Sequence, residues 1–160
     1  MDRNITIREA LTELDRAVFW EQLRDYFTRD MFPDDPEELE YFLGEEYREA
    51  IEKGHDGPQD RYRYLFFCRQ GQDIGFAMPL ISDSEEGKCF LMEFGVFPQF
   101  RGNGTGMDCA RTLLEWTKAE GASCWELNCM GQRRMRFWSR LGFRENGVDE
   151  WDVPLMLLRS

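Results

Sequence analysis

The chain has 160 residues, of which 31 are acidic and 20 are basic, so its formal net charge is −11 and its sequence pI is near 4.6. This length fits one domain over residues 1–160, and the acidity argues against a nucleic-acid partner. Because the sequence has no run of about 18 apolar residues and no secretory signal, we expect a cytoplasmic protein without a membrane partner. Its cysteines lack metal-ligand spacing, so we expect reduced thiols and no metal.

Residues 1–60 are predicted to be mostly helical, and they account for the whole net negative charge of the chain. Residues 1–60 hold 18 acidic and 7 basic side chains, whereas residues 61–160 hold 13 of each. A short strand is predicted at 5–8, helices at 10–29, and a further helix after the start signal at 34–36. The acidic face of this last helix serves solubility or attracts a cationic amine, and both interpretations stay open. The first helices are expected to pack through Leu11, Leu14, Val18, Phe19, Leu23, Tyr26 and Phe27.

The middle of the chain is predicted to form strands. Two apolar, aromatic runs, 61–69 and 73–81, are separated by a Gln-Gly-Gln turn and therefore indicate a β-hairpin. Before them, residues 53–58 have the composition of a loop, in which His55 is expected to face solvent. A further buried strand is predicted at 89–97.

That last strand leads directly into a glycine-rich turn. The chain reads Val96-Phe97-Pro98-Gln99-Phe100-Arg101-Gly102-Asn103-Gly104-Thr105-Gly106, and a helix-forming stretch follows. Glycines let several backbone N–H groups converge on an anion, and the helix N-terminus adds its own donors, so the turn is suited to a diphosphate. The spacing is neither that of a dinucleotide fold, because the third glycine comes one residue early, nor that of a P-loop, which needs a lysine.

The order of the surrounding elements extends the pattern. After the turn come a helix ending at Gly121, a strand at 123–130, a basic helix at 132–140 and the pair Gly142-Phe143. With the R-x-x-G-x-G core at 101–106, this order resembles that of the GCN5-related N-acetyltransferases, the GNAT family. The hairpins and the single crossover helix predict an α+β fold with a mixed central sheet flanked by helices, which the GNAT resemblance also implies.

The resemblance implies acetyl-CoA as cosubstrate and a direct transfer of its acetyl group to an amine. The cofactor would be bound by Val96, Arg101, Gly102, Asn103, Gly104, Thr105, Gly106 and Trp138. The expected partners are a small-molecule amine acceptor, with a cationic amine preferred, and, as an open alternative, a second copy of the chain.

Two residues of the strand at 89–97 are the candidates for catalysis. Glu93 would take the proton of the amine, since apolar neighbours raise its pKa toward a useful value. Strict alternation places Glu93 on one face with Leu91, Gly95 and Phe97. The resemblance implies that the N–H at or near Val96, which follows a bulge expected beside Gly95, points at the thioester oxygen.

The sequence departs from the GNAT pattern on the basic helix. Trp138 stands where many members place a tyrosine acid, and Gly131 aligns with a frequent asparagine. An indole N–H cannot act as an acid at neutral pH, although a CoA thiolate leaves without strong acid help. A catalytically weak acyl-CoA sensor and a protein or peptide N-acetyltransferase therefore remain alternatives to a small-amine N-acetyltransferase.

Overall fold

Eight strands form one mixed sheet in the computed structural model, which describes residues 4–55 and 60–160. The strands are β1 Thr6–Glu9, β2 Asp60–Tyr62, β3 Leu65–Arg69, β4 Gln72–Ser82, β5 Lys88–Val96, β6 Cys124–Asn128, β7 Arg144–Val148 and β8 Pro154–Arg159. Their order is β1-β3-β4-β5-β6-β8-β7, and β2 pairs with β4 beside β3. Within the described chain β5 and β6 are parallel and the other pairs antiparallel, which confirms the predicted mixed sheet.

Five α-helices lie in the described part of the chain, and the first two begin directly after the capping residues Thr12 and Asp35. They are α1 Glu13–Tyr26, α2 Pro36–Leu43, α3 Glu45–His55, α4 Thr105–Ala119 and α5 Gln132–Ser139. The Asp35 carboxylate accepts the N–H of Glu38 at 3.2 Å, and proline opens α2, as the start signal predicts. The acidic helix is interrupted at Gly44, whose backbone is extended.

Two apolar cores lie on opposite faces of the sheet. Helices α1 to α3 cover one face through Phe19, Leu23, Phe27, Tyr47 and Ile51, together with aromatic residues of β3 and β4. Helices α4 and α5 cover the other face through residues that include Cys109, Leu113, Trp138 and Phe143. Both faces of the central strands are therefore buried, so only a parting of neighbouring strands can open a deep site between the layers.

Several predictions for individual segments were wrong in detail. Leu11 and Leu14 are 66% and 75% exposed and Val18 is also exposed, because α1 begins only at Glu13 and packs through a stripe that begins at Phe19. The run 61–69 is divided into β2 and β3, and β7 was not predicted.

The loop predicted at 53–58 begins later than expected. Helix α3 continues to His55, and residues 56–59 lie outside the described residues, as does the side chain of His55. No helix among the described residues is long and apolar enough to cross a membrane.

Candidate active site

Strands β5 and β6 part at their carboxyl ends and open a cavity. They pair only from Lys88 with Cys124 to Phe90 with Glu126. Beyond that point a cavity of about 670 Å³ lies between them, bordered by both strands, α5, the start of α4 and the end of α1. Because the strands separate inside a sheet that is covered on both faces, the cavity connects the two helical layers.

The glycine-rich turn forms one end of this cavity. Gly102, Asn103 and Gly104 have φ angles of +98°, +56° and +78°, a left-handed run that glycine and asparagine tolerate. The turn closes when the N–H of Thr105 donates to the carbonyl of Gly102 at 3.1 Å, and α4 begins there. The unpaired donors of the first turn of α4 therefore open beside the cavity, as an anion site requires.

Arg101 fixes the end of β5 to the segment after α1. Its Nε donates to the carbonyl oxygen of Val96 at 2.8 Å, and its Nη1 and Nη2 reach the two carboxylate oxygens of Asp30 at 3.3 and 2.8 Å. A bidentate arginine holds a planar carboxylate in one orientation. Arg101 borders the cavity, but its guanidinium is engaged in holding two elements together.

A β-bulge in β5 decides which way Glu93 faces. Met78 pairs with Glu93 while the next residue of β4, Pro79, pairs with Leu91, so Met92 is the extra residue. The prediction of a bulge beside Gly95 was therefore wrong. As a consequence Leu91 belongs to the α4–α5 core and does not share a face with Glu93, whereas Gly95 contacts Tyr26 and Phe76 on the α1 side.

Glu93 is half-buried and borders the cavity. Burial raises the pKa of Glu93 to about 8, and the charge of Arg134 opposes this rise only in part. Burial raises the pKa of the Tyr26 and Tyr47 hydroxyls, and the negative charge of Glu93 raises both further. At neutral pH the site therefore holds a carboxyl group that exchanges its proton within the physiological range.

The backbone of β5 offers hydrogen-bonding groups to the cavity. The N–H of Phe97 donates to the carbonyl of Ile74 in β4 at 2.9 Å. Because these directions alternate along a strand, the N–H groups of Val96 and Phe94 point away from β4, toward the side on which β5 and β6 part. Val96 itself borders the cavity.

Trp138 borders the cavity from α5. Its side chain is buried and contacts three rings edge-on, with centroid distances of 5.2 Å to Phe94, 4.9 Å to Phe137 and 5.3 Å to Phe143. Gly131, which precedes α5, has φ +91° and ψ 142°, a conformation that strongly favours glycine.

A π-helical segment, which was not predicted from the sequence, completes the wall on the α1 side. Residues Phe27–Met31 follow α1, and the N–H of Phe32 reaches the carbonyl of Phe27 at 2.8 Å. The wider turn lets both Tyr26 and Met31 border the cavity and places Asp30 against Arg101. Tyr26 was expected only as a packing residue.

The structure brings most of the predicted site residues together. Glu93 and Val96 border the cavity, as do Arg101, Gly102, Gly104, Thr105, Gly106 and Trp138. Among the described residues of the predicted set, only Asn103 does not border it. The roles of these residues stay predictions.

The charge around the cavity differs from the charge of the whole chain. Its described charged residues are Glu93, Arg101, Arg133, Arg134 and Arg140. The acidic residues of α2 and α3 are exposed, apart from the half-buried Glu52, and none of those described borders the cavity. The cavity is thus cationic, which suits a phosphate-bearing ligand.

Parted strands, a left-handed glycine turn at a helix N-terminus and a half-buried carboxyl group between them are the features that the sequence analysis expected of an acyl-CoA-dependent acyltransferase. The sequence model of the acetyltransferase (GNAT) family matches residues 20–143. The chain therefore belongs to the GNAT family and is an N-acetyltransferase that uses acetyl-CoA. No curated protein sequence matches the chain.

Solved structures support the same fold. The chain is similar to the PaiA N-acetyltransferase from Thermoplasma acidophilum in complex with coenzyme A, with a TM-score of 0.71, 18% identity, and coverage of 98% and 99% of the two chains. It is also similar to the ribosomal-protein-S18-alanine N-acetyltransferase from Escherichia coli, with a TM-score of 0.64, 16% identity, and coverage of 98% and 94%. At these identities the similarity shows the fold alone.

Proposed function

We propose that the protein transfers the acetyl group of acetyl-CoA directly to a small primary amine, and that the amine binds on the Tyr26 side of the cavity. One observation carries this proposal: the glycine turn and the buried carboxyl group of Glu93 open into the same cavity. Donor and acceptor can therefore meet without a covalent intermediate on the protein.

The donor side of the cavity fits acetyl-CoA. The turn at 102–104 and the first turn of α4 would bind the diphosphate through backbone N–H groups, and Arg133 and Arg140 add positive charge nearby. The N–H of Val96 would donate to the thioester oxygen and stabilise the charge that develops there. The indole of Trp138 would pack beside the pantetheine arm.

Glu93 would act as the general base. An aliphatic amine is mostly protonated at neutral pH, and a base with a pKa near the working pH removes its proton most effectively. With its pKa raised to about 8, Glu93 meets this requirement. The proton would pass to the carboxylate directly or through one water.

A small cationic amine fits the acceptor side best. Tyr26, Met31 and Met92 give this side an aromatic and polarisable wall around a single carboxyl group. Such a wall favours an ammonium ion over a neutral ligand of the same size. The acidic residues of α2 and α3 lie outside the cavity wall, so they would act on the acceptor only by long-range attraction.

The test is the release of CoA thiol from acetyl-CoA with a panel of amines that spans diamines, amino acids and a peptide N-terminus. We expect turnover with a small cationic amine and a loss of about 100-fold in Glu93→Gln. Binding of acetyl-CoA without turnover of any amine would favour the sensor, and turnover of the peptide alone would favour the peptide N-acetyltransferase.

The salt dependence of the same reaction tests the charge of the acceptor. Reversing Glu37, Glu38 and Glu45 to lysine should lower the rate for a cation and flatten its decline as salt rises from about 0.01 to 0.1 M. Glu115→Lys on α4 is the matched control. Unchanged kinetics in the triple variant would show that the acidic helices serve solubility and do not attract the acceptor.

A further inference from the structure

Acetyl transfer leaves a negative charge in the cavity for which no acid on α5 is available. When the amine nitrogen bonds to the acetyl carbon, the carbon–sulfur bond breaks and its electron pair stays on the sulfur of CoA. The rings that α5 places at the cavity are those of Phe137 and Trp138. Phenylalanine has no acidic proton, and the indole N–H of Trp138 cannot act as an acid. A thiolate in a partly dry cavity needs either a proton or a positive charge.

Arg134 stands one helical turn before Trp138. Residues four apart lie on the same face of a helix, and their side chains tilt toward the helix N-terminus. Both residues border the cavity, together with Glu93 and Val96 of the facing strand. Among the described residues the guanidinium of Arg134 forms no ion pair or hydrogen bond within the usual distances. It is therefore available to a ligand.

The charge of Arg134 reaches groups on three other parts of the chain. Burial raises the pKa of Glu93 in β5, of Cys129 after β6 and of Tyr26 at the end of α1. The positive charge of Arg134 opposes each of these rises. Glu93 and Tyr26 border the cavity, and Arg134 is an exposed residue of the same wall. The charge of Arg134 therefore acts on groups inside the cavity.

We propose that Arg134 stabilises the departing CoA thiolate by its positive charge and so performs the role for which Trp138 is unsuited. This inference rests on the proposed acetyl transfer. One proton of the ammonium ion goes to Glu93 before attack, and the second leaves the nitrogen to water as the amide forms. The electron pair of the broken bond stays on sulfur beside the guanidinium, and the thiolate takes a proton from water after release. No proton donor on α5 is needed.

The test is a titration of the thiol of CoA bound to the protein, followed by the ultraviolet absorbance of the thiolate. The complex with S-methyl-CoA supplies the baseline, and burial raises the pKa of Cys89 and Cys109 to about 12, so these thiols stay silent. The other titratable or charged groups of the cavity wall are Glu93 of β5, Tyr26 of α1, and Arg101, Arg133 and Arg140, and Cys129 follows β6.

We expect the bound thiol to titrate at least one unit below its ordinary pKa of about 8.5, a tenfold shift toward thiolate. At saturating CoA, Arg134→Gln should remove most of this pKa shift, and Arg134→Lys should keep at least half of the shift. Arg136→Gln is the control: it does not alter the described cavity wall and should keep the whole shift. The same thiol pKa in the parent and in Arg134→Gln would overturn the inference while leaving the proposed function intact. Failure of the parent to bind CoA would overturn both.

Discussion

Replacing Glu93 by glutamine should make the protein more stable at neutral pH. Glutamine has nearly the shape of glutamic acid but cannot ionise. In the folded protein burial raises the pKa of Glu93 from 4.5 to about 8, whereas in the unfolded chain the group ionises near its ordinary value. Between these two pKa values the folded state binds more protons than the unfolded state, so the free energy of unfolding falls as pH rises.

The size of the effect follows from this window. One pKa unit corresponds to about 1.4 kcal/mol, so a fully shielded Glu93 would reduce stability by about 1.4 kcal/mol for each pH unit between 4.5 and 8. Glu93 borders an open cavity, and water that enters it screens part of the charge. We therefore expect Glu93→Gln to gain at least about 1.5 kcal/mol over the parent between pH 5 and pH 7.

Urea denaturation at a series of pH values measures this difference directly. The parent and Glu93→Gln should have similar stability near pH 4.5 and should diverge up to about pH 8. Glu115→Gln, an exposed position on α4, is the matched control and should follow the parent. Parallel stability curves for Glu93→Gln and the parent would refute the shielding of Glu93 and with it the case for this residue as a base.

Three further substitutions probe the surroundings of Glu93. Gly104→Val, at φ +78°, should weaken acetyl-CoA binding at least about tenfold in calorimetry, whereas Gly147→Val, at φ +73° in β7, imposes similar backbone strain without changing that affinity. Gly95→Ala would put a Cβ 2.7 Å from Phe76 and 3.2 Å from Tyr26 and should lower the free energy of unfolding by about 1–3 kcal/mol. Gly106→Ala has no neighbour nearer than 3.7 Å and should leave the free energy of unfolding unchanged. Equal thermal stability of the two variants would contradict the packing described. Arg101→Lys loses the two-pronged contact with Asp30 and should cost about 1 kcal/mol in urea denaturation. The loss should be smaller when Asp30 is already asparagine, because only the hydrogen bond from Nε to the carbonyl of Val96 is then left to lose.

The sequence predicted the donor half of the site far better than the acceptor half. The glycine turn depends on local backbone freedom, so the spacing of Arg101, Gly104 and Gly106 in the sequence already indicates its form. Glu93 could be chosen because it is the one acid in the apolar strand that leads into the glycine turn. Both features depend on residues that are close together in the sequence, so both could be predicted from it.

The acceptor side depends on features that leave little trace in the sequence. The bulge at Met92 inserts one residue into β5, and strict alternation cannot reveal it, so Leu91 was placed on the wrong face. The π-helical turn that places Tyr26 and Met31 at the cavity has no composition signal either. Both are decided by packing between elements that are distant in the chain.

The pH dependence of kcat/KM for an active amine, in the parent and in Glu93→Gln, tests the role of Glu93 most directly. An aliphatic amine has a pKa of about 10, so without a protein base the rate should rise steadily up to that value. With Glu93 as the base, the parent should level off near pH 8, the pKa of the buried carboxyl group, and Glu93→Gln should be about 100-fold slower and continue to rise. Superimposable profiles for the two proteins would contradict the account.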